Sequence, residues 1–310
     1  MTLRYIAHYS FFPLLAFFAL LSVRHGEGGF NWQTVESGML KIHWYQGDAD
    51  FGQAALAAAQ MSLESIGRFF PSRLEQQVEI FIYANRDDLQ SEFVSGGESW
   101  IAGHADPALG IIRVVVEPGT EQDIVMEQRI PHELMHVMLY RRVGPGYNNL
   151  PAWLREGTAT LAETYPNADF DRALTDAASR DRLIPLKDLC VAFPVETGEA
   201  FLAYAESRSF TNYLHDTYGS TGLLDIAMSY ADGVDCERGT IRVSRISLSN
   251  LELQWRSDVL GENAFLSTLQ KASPYLALLC LVLIIPLIGI VGTLRNKRNQ
   301  NGRGTYVRKG

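Results

Sequence analysis

The most informative stretch of the sequence is His132-Glu133-Leu134-Met135-His136, in which two histidines are four residues apart. Residues four apart share one helix face, so His132 and His136 can present both imidazole rings to a single metal ion. Glu133 lies about a third of a turn away and can address a water molecule on that ion. The alternative is two helix histidines at this spacing by chance, so a third ligand is the deciding observation.

A candidate third ligand lies in Leu150-Pro151-Ala152-Trp153-Leu154-Arg155-Glu156-Gly157. The preceding residues 144–149 predict a turn, and Pro151 suits the first position of a new helix. Two antiparallel helices joined in this way would bring Glu156 opposite the histidines. Two imidazole nitrogens, a carboxylate and an open fourth position form a ligand set typical of catalytic zinc. Glu163, on the same face, either orients a ligand or is a solvated carboxylate.

The surrounding sequence predicts an α+β domain in which strands come first and helices follow. Apolar patterning indicates three strands, at 40–45, 78–83 and 111–116. Helical periodicity covers four later segments, at about 121–142, 151–165, 199–218 and 221–232. Pro131 lacks an N–H, so the first of these helices either begins there or is kinked. The predicted fold is a small mixed β-sheet packed on a helical half.

Two apolar segments flank this domain. Residues 9–23 have the layout of a secretory signal, so 1–27 are predicted to be a signal peptide, with a retained anchor as the alternative. Residues 275–294 contain no charge and predict a C-terminal transmembrane helix. The tail 295–310 contains six basic residues and no acidic one, and is expected in the cytoplasm. The predicted location is therefore the cell membrane, single-pass, with residues 28–270 extracytoplasmic.

Charge and cysteine content agree with an exported domain. The net charge is −8, and removing the six basic tail residues changes it to −14 for residues 1–294. Nucleic-acid binding requires clustered Lys and Arg, so this acidic domain argues against a nucleic-acid partner. Cys190 and Cys236 are the only cysteine pair in the predicted exported part. We expect them to form a disulfide, with two unpaired buried thiols as the alternative.

The ligand spacing resembles that of the gluzincin metallopeptidases, in which a glutamate ligand follows H-E-x-x-H by about twenty residues. The segment 153–159, Trp-Leu-Arg-Glu-Gly-Thr-Ala, is similar to one in the aminopeptidase N branch. The exported part as a whole resembles the bacterial peptidase MA-like family. This resemblance implies a thermolysin-like catalytic core. It also implies a zinc ion held by His132, His136 and Glu156, with Glu133 as the general base.

Two further roles follow from the same resemblance. The strand 111–116, just before the motif helix, resembles the sheet edge that gluzincins pair with an extended peptide. A Tyr, His or Arg usually assists the metal in stabilising the oxyanion, and family position favours Tyr204. Tyr204 is alternatively a packed aromatic residue. Three other side chains are candidates for the oxyanion role: His104, Arg208 and Tyr213.

The sequence thus predicts a membrane-anchored, extracytoplasmic zinc metallopeptidase with a peptide or protein substrate. Two other functions stay open: a catalytically silent, metal-stabilised, membrane-tethered binding module, and a metallohydrolase acting on a non-protein amide. The intact Glu133 argues against the binding module, because a silent site needs no base. No G-x-M-E-N segment of the kind that grips a substrate amino terminus is found, which leaves endo- versus exopeptidase action open.

Overall fold

A mixed five-stranded sheet forms the N-terminal part of the fold. The computed structural model describes residues 29–71, 74–92, 102–261, 272–284 and 286. Its strands are β1 Gln33–Ser37, β2 Leu40–Trp44, β3 Val78–Tyr83, β4 Gly103–Asp106 and β5 Ile111–Val115. Their order across the sheet is β1-β2-β3-β5-β4. The inner strands β2, β3 and β5 run parallel, while β1 and β4 are antiparallel to their neighbours.

Helices make up most of the remaining fold. They are α1 Ala49–Phe69, α2 Arg86–Ser91, α3 Gln122–Val143, α4 Ala152–Ala162, α5 Phe170–Ser179, α6 Thr197–Ala231, α7 Ile241–Ser244 and α8 Leu248–Asp258. The helical segments predicted at 199–218 and 221–232 correspond to the two parts of α6. They are separated at Gly219, whose φ of 69° and ψ of 177° interrupt the helix. A positive φ of this kind favours glycine because it has no Cβ.

Both faces of the central strand β3 are covered by side chains from other elements. Ile80 and Ile82 point into the main core, which also contains side chains of α1, α3, α4 and α6. Phe81 and Tyr83 alternate with them and pack into a second cluster on the opposite face. A strand buried on both sides reads as a continuous apolar run, as Ile80-Phe81-Ile82-Tyr83 does in β3. The prediction of an α+β fold with a mixed sheet is therefore confirmed.

The edge strand was predicted wrongly. The predicted strand 111–116 corresponds to β5, which lies between β3 and β4, so it is not an edge. In the described part of the chain, β4 is the edge strand on this side. The burial of the two strands explains the difference: β5 is almost entirely buried, whereas the Gly-His-Ala-Asp sequence of β4 is partly or fully exposed. Short, polar strands are typical of sheet edges.

The predicted transmembrane helix at 275–294 is also wrong. Among the described residues, no helix is both long and apolar enough to cross a membrane. Residue 285 and residues 287–294 of the expected span lie outside the described residues. The predicted signal peptide 1–27 and basic tail 295–310 also lie outside them.

The predicted disulfide is present. Cys190 and Cys236 are joined, with their Cα atoms 6.2 Å apart and a sequence separation of 46. The bond ties the segment that follows α5 to the segment that follows α6. The backbone carbonyl of Cys190 also accepts a hydrogen bond from Ala152 N–H, at 2.9 Å. The disulfide thereby supports the beginning of α4, the helix that contains Glu156.

Candidate active site

Helix α3 brings the motif residues to the surface of one cavity. Ile130, Leu134 and Val137 of this helix share one face and are fully buried in the core, which fixes its rotation about its own axis. His132 and His136 consequently lie on the opposite face with Glu133 beside them, and all three line the cavity. The cavity has a volume of about 510 Å³.

Helix α4 places Glu156 opposite the two histidines, as predicted from the turn and Pro151. The chain reverses through a 3₁₀ turn at Gly144–Asn149, and Pro151 is the N-cap of α4. Trp153 is fully buried, and α4 approaches α6 closely at Gly157. A Cβ at that glycine would lie 2.3 Å from the Oγ1 of Thr211, so only glycine fits the present spacing. This packing directs Glu156 toward α3.

The three predicted ligands converge on one point. Glu156 Oε2 lies 3.4 Å from His132 Nε2 and 3.7 Å from His136 Nε2. One ligand atom from each residue falls within 4.8 Å of the other two, an arrangement able to hold a metal ion. Two imidazole nitrogens and one carboxylate oxygen are the donor set of catalytic zinc sites of the thermolysin type. These residues therefore fit zinc both in chemistry and in placement.

Each histidine is also held from its far side. His132 Nδ1 lies 2.8 Å from Glu163 Oε1, and His136 Nδ1 lies 2.9 Å from the hydroxyl of Tyr147. Such partners fix the orientation and tautomer of metal-binding imidazoles. Glu163 is therefore an orienting group, one of the two roles considered for it. Tyr147 was missed, because its segment was interpreted only as a turn.

Pro131 lies inside α3 and explains how Glu163 is positioned. Of the two alternatives considered for this proline, a helix start is excluded, since α3 runs from Gln122 through it to Val143. Because proline has no N–H, the carbonyl of Glu127 loses its helical partner. That carbonyl instead accepts the backbone N–H of Thr164, at 3.0 Å. The proline thus creates the hydrogen bond that fastens the end of α4, with Glu163, to α3.

The electrostatics of the site favour a bound cation. Burial acts to raise the pKa of Glu156, but His136, His132 and Arg155 outweigh it and hold that pKa at about 2. Burial lowers the pKa of His136 to about 4, which keeps the imidazole neutral. Burial also acts to lower the pKa of His132, yet hydrogen bonds to Glu156 and Glu163 raise it well above the usual value. The carboxylates therefore stabilise positive charge where a divalent cation would lie.

Glu133 differs from the ligand glutamate. It is 7% exposed, and burial raises its pKa to about 7. It packs closely on the edge strand, since a Cβ at Gly103 would lie 2.4 Å from its Oε1. A carboxyl group with a pKa near neutrality can both accept and donate a proton.

Of the four oxyanion candidates, Tyr204 contacts the ligand set directly. Its ring centroid lies 6.2 Å from that of His132, and its hydroxyl interacts with Glu156. Burial, Glu156 and Glu133 raise the pKa of Tyr204, so its hydroxyl keeps its proton. His104 also lines the cavity. Arg208 is not among the cavity-lining residues, and Tyr213 donates a hydrogen bond to Asp258 at 3.1 Å.

Comparison with known proteins agrees with this geometry. No curated protein matches the chain. The family model described as Peptidase MA superfamily matches residues 58–261, well over half of the 310-residue chain and including every residue of the site. The match indicates a peptidase-type hydrolase of a kind that typically depends on a metal ion. The chain belongs to the Peptidase MA superfamily.

Proposed function

We propose that the protein is a zinc metallopeptidase that hydrolyses peptide bonds in a peptide or protein substrate. The convergence of His132, His136 and Glu156 on one point, beside the buried Glu133, is the observation on which this proposal rests. When bound there, zinc would polarise the substrate carbonyl and lower the pKa of a water molecule. Family membership supports the peptidase class.

Glu133 is proposed to move the proton. Its carboxylate accepts a proton from the attacking water and delivers it to the amine nitrogen of the leaving group. The pKa of about 7, raised by burial, suits both halves of this transfer near neutral pH. Its close contact with Gly103 directs the carboxylate, because the backbone of β4 limits where Oε1 can move.

The edge strand β4 is proposed to hold the substrate. It lines the cavity, and in the described part of the chain no other strand pairs with its outer edge. An extended peptide can add to such an edge through main-chain hydrogen bonds. This assigns to Gly103–Asp106 the role expected from sequence for 111–116.

Tyr204 is proposed to donate its hydroxyl proton in a hydrogen bond to the oxyanion that forms on the substrate. Its contact with Glu156 supports this role, because the reacting carbonyl would lie beside the three ligands. Donors of this kind typically contribute about 100- to 1,000-fold in rate. A Tyr204→Phe variant should therefore lose kcat while the metal content stays unchanged.

The domain is proposed to work outside the cytoplasm. Structural disulfides persist in oxidising compartments and are rare in reducing ones, and Cys190 and Cys236 are bonded. The secretory layout of residues 9–23 agrees with export. Mass spectrometry of the protein isolated from its cell would show an oxidised pair if this location is right, and two free thiols if it is wrong.

The decisive experiment compares the zinc-loaded full chain with its Glu133→Gln variant on a diverse peptide pool. We expect the native chain to cleave peptides, and the variant to bind zinc equally but lose hydrolysis. Glu121→Gln is the matched control, because Glu121 is exposed at the start of the same helix and its side chain makes no cap hydrogen bond. Full activity in Glu133→Gln would contradict the mechanism. Zinc binding without any cleavage by the native chain would indicate a binding module.

A further inference from the structure

Arg155 is a cation in the active-site cavity that the proposed chemistry does not use. It is half-buried and lines the cavity, one position before the ligand Glu156. Among the described residues it forms no salt bridge, since the ion pairs of the neighbouring Glu156 are with the histidines, although its charge helps to lower the pKa of that glutamate. Its Nε is buried and has no hydrogen-bond partner there. A buried donor without a partner costs free energy and calls for an explanation.

The other arginine of the cavity differs from Arg155, because its guanidinium group has a hydrogen-bond partner. Arg129 donates a hydrogen bond to the backbone carbonyl of Val115. Arg155 instead has its guanidinium carbon 5.6 Å from the ring centroid of Tyr147. Stacking on an aromatic ring restricts the guanidinium plane without occupying its N–H groups. Arg155 is thus oriented in the cavity with its donors unused.

The carboxylates of the cavity already have other partners. Glu156 and Glu163 are engaged with the histidines, and Glu133 is buried against Gly103. A carboxylate that forms a salt bridge with Arg155 would therefore come from outside the described residues. Arginine binds carboxylates through two parallel N–H bonds, a stronger contact than a neutral hydrogen bond.

We propose that Arg155 binds a carboxylate of the substrate, so that the site selects peptides with an acidic group near the scissile bond. That group is either an Asp or Glu side chain or the terminal carboxylate. This inference rests on the proposed peptidase function. It names the chemical class of substrate, which neither the family match nor the ligand set specifies.

Two matched peptide pairs test the inference and separate the two sources of the carboxylate. One pair differs only in Glu against Gln beside the cleaved bond, and the other in a free against an amidated C-terminus. For the zinc-loaded native chain we expect kcat/KM to be about 10- to 100-fold higher for the acidic member of one pair. Arg155→Gln should reduce that ratio to near one, and Arg155→Lys should restore part of it.

Two controls keep the result interpretable. Arg172→Gln removes an exposed arginine paired with Asp169, outside the cavity, and should leave the ratio unchanged. Zinc content should be the same in all variants. An equal loss of kcat/KM on acidic and neutral peptides in Arg155→Gln would overturn the inference and indicate a purely structural role.

Binding measurements distinguish failure of this inference from failure of the peptidase function. Fluorescence anisotropy of the same peptides on zinc-loaded Glu133→Gln reports the preference without turnover. Tighter binding of the acidic peptides, lost when Arg155→Gln is added, supports the inference even if no peptide is hydrolysed. Equal binding of acidic and neutral peptides overturns it even if the native chain proves to be an active peptidase.

Discussion

Replacement of Gly103 by alanine should disable catalysis while leaving the fold intact. The added Cβ would lie 2.4 Å from Glu133 Oε1, whereas an ordinary contact begins at 3.4 Å. The carboxylate must therefore retreat by about 1 Å, and a misplacement of that size can reduce the rate by about 100-fold. We expect kcat/KM of Gly103→Ala to fall by about that factor.

Stability should respond differently from activity. The atom that must move is the end of a side chain, and alanine fits a strand at least as well as glycine does. The free energy of unfolding should therefore change by less than about 1 kcal/mol. Zinc content should also be preserved, because the displaced carboxylate is not one of the three converging ligands.

The assay is peptide hydrolysis under steady-state conditions, with zinc content and urea denaturation measured on the same samples. Gly67→Ala is the matched control, since a Cβ on this glycine of α1 would meet no atom within 4 Å. It should keep full activity. Undiminished hydrolysis by Gly103→Ala would refute the placement of Glu133 as the general base against the edge strand.

Three other predictions concern the disulfide, a ligand-orienting residue and a buried acid. Replacing Cys190 and Cys236 by serine should lower the free energy of unfolding in urea by about 4 kcal/mol, because the bond closes a loop of 46 residues; an unchanged value would contradict this. Tyr147→Phe should weaken zinc binding about 10- to 100-fold in a competition titration. Tyr140→Phe, whose ring packs 5.8 Å from that of Tyr147, should not. Burial raises the pKa of Glu206 from 4.5 to about 8, so the stability it provides is present below pH 4.5 and is lost as the pH rises to 8. In urea denaturation between pH 5 and 8, the free energy of unfolding should therefore fall less steeply for Glu206→Gln than for the native chain. An unaltered slope would show that Glu206 does not cause the decline.

The ligand set could be predicted from sequence because it depends mainly on local geometry. His132 and His136 share a helix face whatever surrounds them, and the turn before Pro151 predicts an antiparallel second helix. The approach of Glu156 Oε2 to both histidines agrees with that prediction. The disulfide was also predictable, since Cys190 and Cys236 had no competing partner in the predicted exported part.

Features that depend on long-range pairing were not predictable from one sequence. Ile111–Val115 has the apolar pattern of an inner strand, yet the choice of edge depended on recognising β4, which is only four residues long. The role of Tyr147 depends on how the turn folds back toward His136. An apolar run such as 275–294 gives only a tendency in composition, and among the described residues no helix is long and apolar enough to cross a membrane.

Pro131 shows how a local rule can be correct while its consequence is missed. Its effect on the helical hydrogen bond of Glu127 follows from proline chemistry alone. That the freed carbonyl would accept Thr164 N–H could be seen only once α4 was placed beside α3. The position of Glu163 against His132 follows from that contact.

The central claim is that peptide hydrolysis depends on one zinc ion held by His132, His136 and Glu156. The most direct test measures zinc per chain and peptide cleavage in the same sample, before chelation, after it and after zinc is restored. We predict one zinc per full chain, loss of cleavage in proportion to zinc removed, and recovery when zinc returns. Cleavage that persists after the zinc has been removed would contradict the claim.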